Sequence, residues 1–127
     1  ELFGTDIQSV SVERNLLNGG SDGFAHMQLK FASGVIASLS SAISVEGVKE
    51  ARIYGSEGYI LLPDFWKSSK VELIRYDGND EVFIVDQPSE FTYYIDHACE
   101  CIKKGLNESP ILTKALNETM IRLITSK

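Results

Sequence analysis

Basic charge is scarce in this sequence. Twelve Lys and Arg against eighteen Asp and Glu leave a net charge of -6 over 127 residues. Nucleic-acid binding needs a basic footprint that displaces counterions from phosphates, and an anionic membrane surface attracts the same kind of patch. Neither partner fits this composition. Long apolar runs are missing too: the stretch Tyr59–Pro63 falls far short of the roughly 20 residues that span a bilayer. No stretch has the order of a secretory signal. Cys99 and Cys101 are the only cysteines, two residues apart on a predicted helix, so they point in different directions. They read as reduced thiols, and a cytoplasmic location is the expectation.

Catalytic constellations are equally sparse. His97 and Cys101 are four apart on one helical face, but zinc needs three or four converging ligands. His26 lies in a strand with no ligand spacing, so no metal site is expected. Asp96 and Glu100 flank His97 and Cys101 and oppose a low thiolate pKa, which argues against a cysteine nucleophile. The two acids read as surface charges beside Lys103 and Lys104. Gly55-Ser56-Glu57-Gly58 lacks the lysine and the following helix of a phosphate loop, and no GxGxxG occurs anywhere. The residues themselves assign no catalytic, cofactor-binding or metal-binding role.

What is present is periodicity. From Thr5 to Val85 the period is two, punctuated by the turns Asn18–Ser21, Ala32–Gly34, Gly55–Gly58 and Asp77–Asp80. A register change or bulge is expected near Ser9. Short turns between successive strands imply largely antiparallel pairing. After Pro88 the period becomes 3.6: Phe91, Ile95, Cys99 and Ile102 mark one helix stopped by Gly105, and Thr113 opens a second as N-cap. The predicted fold is α+β, a largely antiparallel, possibly mixed, β-sheet with two C-terminal helices packed on one face. The length suits a single domain with a substantial core, exposing about 6,700 Å². Leu39 and Ile43 are expected in that core.

Two features invite a partner. Ile36, Ser38, Ser40, Ala42 and Ser44 form a small, weakly polar face, and His26 and Gln28 lie on the matching face of the preceding strand. That face meets another sheet or subunit, or else is simply a serine-rich solvent face. Phe65 and the only tryptophan, Trp66, sit in a loop between strands. They serve as an interface or pocket anchor, or as a cap folded back on the sheet. Together the residues describe an accessory, dimerising or substrate-shaping module.

Three stretches carry a family resemblance: GFAHMQLKFASGV from Gly23 to Val35, ARIYGSEGYILLPD from Ala51 to Asp64, and FTYYIDHACECIKKGLNESPIL from Phe91 to Leu112. In this order they resemble the C-terminal domain of the glucose–fructose oxidoreductase, inositol dehydrogenase and dimeric dihydrodiol dehydrogenase (Gfo/Idh/MocA) family. The opening Glu1-Leu2-Phe3-Gly4 resembles the end of the helix entering that domain. The resemblance implies a parent with an N-terminal Rossmann domain for NAD or NADP. It also implies an open sheet face for subunit contact, which favours a homodimer through His26, Gln28, Ser38, Ser40, Ala42 and Ser44. The parent is expected to transfer hydride between the nicotinamide and a sugar, polyol or diol. The family's catalytic lysine, aspartate and histidine motifs do not occur in these residues, so the fragment alone is expected to be inactive. Glu46 and Lys49 resemble a region that reaches towards substrate, and with Phe65 and Trp66 they are the candidate pocket residues. The competing reading is a stand-alone, non-catalytic, homodimerising interaction module.

Overall fold

The computed structural model describes residues 3, 5–86 and 89–125. In chain order the elements are β1 (Ile7–Leu16), β2 (Asp22–Phe31), β3 (Ile36–Ala42), β4 (Glu50–Tyr54), β5 (Gly58–Pro63), β6 (Lys70–Arg75), β7 (Glu81–Ile84), α1 (Thr92–Lys103) and α2 (Lys114–Thr125). All strand pairs are antiparallel, and the α+β class stands as predicted. The strands form two sheets, β1-β2-β3 and β4-β5-β6-β7, and Glu46-Gly47 lies between β3 and β4 in sequence. The chain divides into two compact units, Glu1–Gly47 with Glu108–Lys127, and Val48–Asn107. The expected helix end at residues 1–4 lies outside the described residues apart from Phe3, and Pro88 lies outside them as well.

In the first unit β2 is the central strand. Alternation puts Ala25, Met27, Leu29 and Phe31 on one face, where Val10 and Ala37 flank Leu29 across the ladders. The register of β1 slips between Ile7 and Ser9, as the sequence suggested, and again between Asn15 and Leu16. Gly34, with φ +88°, makes the reversal into β3, because an L side chain strains there. Helix α2 starts where Thr113 Oγ1 accepts from Leu116 N at 3.2 Å, and Glu108 accepts from Lys114 N at 3.0 Å. Its far end meets β1 where Arg14 donates to the Ile124 carbonyl at 2.7 Å.

In the second unit Ala51, Ile53, Ile60, Leu62, Val71, Leu73 and Phe83 share one face. Gly58 opens β5 where the backbones come closest: a Cβ there would run into the Ile74 carbonyl oxygen. The β6–β7 turn is closed by Asp77, whose carboxylate accepts from Asn79 N at 3.0 Å and Asn79 Nδ2 at 2.9 Å. Helix α1 ends at Gly105, with φ +65°.

Burial departs from expectation. The chain exposes 9955 Å², and Leu29 and Phe31 are the buried hydrophobic side chains among the described residues. Neither helix contributes a buried residue, so the predicted burial of their apolar stripes against the sheet is corrected. The core placement of Leu39 and Ile43 is corrected too: they are 50% and 72% exposed. The reason is local. β3 is an edge strand that ends at Ala42, leaving Ile43 beyond the ladder and Leu39 flanked on one side only.

Two predictions follow from this packing. Leu29→Ala and Phe31→Ala should each cost about 2–5 kcal/mol in urea melts, against under about 1 kcal/mol for Ile43→Ala, with Gly58→Ala costing about 1–3 kcal/mol. The reverse ranking would overturn the assignment of the core. Asn79 holds the Asp77 carboxyl below its ordinary value of 3.8, first through its backbone N–H and then through its side chain. The stabilising effect of this turn is therefore present above that ordinary value and lost as pH falls through the lowered one. The stability gap between wild type and Asp77→Ala should narrow in acid, and a pH-independent gap would refute this role.

Candidate functional site

The first unit gathers most of the predicted dimer face. His26 lies opposite Ser40, Gln28 opposite Ser38 and Ala42 opposite Phe24 in the β2–β3 ladder. The His26 ring joins Ser40 through Nδ1 and Oγ at 2.9 Å. Cross-strand pairing sets each longer side chain of β2 beside a short one of β3. Ser44 does not join the ladder: it lies past the end of β3, and its hydroxyl donates to the Gly23 carbonyl at 2.8 Å. On the apolar side of the same sheet a groove of about 420 Å³ runs past Val12, Met27, Leu39, Ile43 and Ile124, beside the Arg14–Asp22 ion pair at 3.1 Å.

The second unit brings Lys49, Phe65 and Trp66 together. Phe65 and Trp66 meet edge to face, their centroids 5.5 Å apart at 89°. Lys49 Nζ lies 5.8 Å from the Trp66 ring centroid, within the range of cation–π attraction. Asp64 fixes this arrangement through its backbone. Its N–H donates to the Lys49 carbonyl and its carbonyl accepts from Lys67 N, both at 2.8 Å, while φ is +45°. Sequence reasoning missed Lys67, whose Nζ also lies 5.8 Å from the Trp66 centroid. Its place next to Trp66 was the available signal. Glu46 belongs to the first unit, where it is exposed after β3.

Two other clusters resolve simply. His97 Nε2 and Cys101 Sγ are 3.6 Å apart, as their helical spacing predicted, and both cysteines are free. No group of three or more His, Cys, Asp or Glu side chains able to hold a metal occurs among the described residues. Glu100 pairs with Lys104 at 3.4 Å. The Gly55–Gly58 turn joins β4 to β5, with Gly55 N donating to the Gly58 carbonyl at 2.8 Å. It borders a cavity of about 300 Å³ floored by Ile53, Ile60 and Leu73 and closed by Arg75, which pairs with Glu81 at 2.6 Å.

The chain is 27% identical over 124 residues to trans-1,2-dihydrobenzene-1,2-diol dehydrogenase from Xenopus tropicalis, an alignment covering 92% of this chain and 38% of that protein. The Xenopus laevis counterpart gives the same identity and coverage. The resemblance read from the sequence is borne out. Two solved structures of UDP-N-acetylglucosamine 3-dehydrogenase GnnA from Acidithiobacillus ferrooxidans share the fold. They superpose with TM-scores of 0.69 and 0.65 at 12% and 13% identity, covering 94% and 79% of this chain and 40% and 32% of theirs. No family profile matches the chain. The chain thus spans 38% of the length of the curated relatives it matches. An oxidoreductase-related domain is the common ground of these similarities. No helix among the described residues is long and apolar enough to cross a membrane.

Proposed function

We propose that this chain is the C-terminal, substrate-shaping and dimerisation domain of a cytoplasmic, NAD- or NADP-dependent oxidoreductase acting on a sugar, polyol or diol. The observation that carries the reading is coverage: similarity to a diol dehydrogenase extends over 92% of this chain yet 38% of that enzyme. The remaining length of the relative is where the resemblance puts the dinucleotide domain.

The described residues do not fit a dinucleotide. A pyrophosphate site of the Rossmann kind needs a glycine-rich turn from a strand into a helix, whose free N–H groups and dipole meet the phosphates. The Gly55–Gly58 turn instead connects two strands, and Glu57 adds negative charge to it. Cofactor chemistry therefore belongs to the parent, and this domain contributes shape. Lys49, Phe65 and Trp66 are its candidate substrate-facing residues, with Glu46 as a further candidate on the first unit.

The open face of β2 and β3 supports a homodimer. Its centre is small and flat around His26, Gln28, Ser38 and Ser40, and its ends carry the exposed Phe24 and Ile36. In a two-fold contact through this face each residue would meet its counterpart or a near neighbour.

Three measurements test the reading. The full-length parent should reduce NAD or NADP with a panel of sugars, polyols and diols, while calorimetry with this chain alone should detect no binding of NADH or NADPH. A parent without a dinucleotide domain would leave a stand-alone interaction module. In sedimentation, Ser40→Arg should shift the parent from dimer to monomer, and a dimer unaffected by Ser40→Arg and Gln28→Glu together would place the contact elsewhere.

A further inference from the structure

Five of the twelve Lys and Arg side chains in this acidic sequence are neutralised in place. Arg14, Arg52, Lys70, Arg75 and Lys104 each pair with a carboxylate at 2.6–3.4 Å. Lys49 and Lys67 share an aromatic neighbour instead: each has its ammonium group 5.8 Å from the same indole, and neither pairs with a carboxylate among the described residues. Like charges gathered around one ring repel each other, and an anion between or beside them removes that repulsion. The backbone of Asp64 bonds to the main chains of both lysines, so the two side chains leave the backbone from fixed points beside Trp66. Trp66 and Phe65 are 44% and 58% exposed, which leaves aromatic surface open next to the two charges.

We propose that Lys49, Lys67, Trp66 and Phe65 form a binding spot for a small molecule that combines a ring with a phosphate or carboxylate group. The anion sits with the two lysines, and the apolar face of the ring lies against the exposed aromatic surface. The proposal deepens the dehydrogenase reading, on which it rests for the ring's identity: the parent's substrate is an anionic sugar or cyclic polyol, not a neutral one. A net charge of -6 over the chain repels anions in general, so affinity is confined to this spot and falls as salt screens it.

Trp66 is the only tryptophan, so its emission reports on the spot directly. The 127-residue chain is titrated with glucose 6-phosphate, glucuronate, glucose and inorganic phosphate. A saturable change with glucose 6-phosphate or glucuronate, at least tenfold weaker for glucose and for phosphate alone, is the expected result, and the tighter of the two anionic sugars identifies the anion. Lys49→Gln with Lys67→Gln should weaken that binding at least tenfold. Raising the salt concentration should weaken it in the wild-type chain, which keeps the test decisive if the double variant does not fold. No saturable change, equal binding of glucose or of phosphate alone, an unaffected double variant, or salt-independent binding would each overturn the proposal. Failure here alongside hydride transfer by the parent would remove the anion spot and leave the dehydrogenase reading standing. Absence of hydride transfer with all substrates would sink that reading separately.

Discussion

Backbone pairing along the inner strands, β2 in the first unit and β5 and β6 in the second, sets the position of everything else in each unit. β2 is hydrogen-bonded on both edges, which forces its alternate side chains onto two faces and concentrates the buried apolar surface at Leu29 and Phe31. Everything else in the first unit is placed relative to that ladder. The hairpin at Gly34 sets which residues of β3 oppose β2, and so determines that Ser38 and Ser40 fall beside Gln28 and His26. A slip of one residue would exchange this flat polar face for the apolar one.

That dependence explains what was legible in the sequence. Turn positions were readable because they require residues with special backbone freedom or local side-chain bonding: Gly34, Gly78 and Gly105 take positive φ, and Asp77 bonds to Asn79. The bulge near Ser9 was readable because the apolar period breaks there. Helix boundaries followed from Thr113 and Gly105 in the same way. Depth of burial was not readable. Leu39 and Ile43 have the alternation of core residues, but alternation gives only the face, and an edge position decides how much covers it. The division into two sheets was also hidden, since Glu46-Gly47 reads as a strand break whether or not the next strand rejoins the same sheet.

The candidate sites show the same limit. Phe65 and Trp66 stood out by composition, and the Lys49 position by resemblance, yet their meeting depends on the Asp64 backbone accepting a left-handed conformation between β5 and the loop. Nothing in residue spacing announces two hydrogen bonds made by one residue's main chain. Adjacency to Trp66 pointed to Lys67, but not to its sharing the indole with Lys49. The His97–Cys101 contact was the opposite case, since a spacing of four on a helix fixes proximity directly.

Gly58 has a consequence for how the most recognisable motif should be understood. In Tyr54-Gly55-Ser56-Glu57-Gly58 the last glycine is required because a neighbouring carbonyl occupies the space of a side chain. The motif is thus set by how two strands are spaced, a demand of architecture that specifies no substrate.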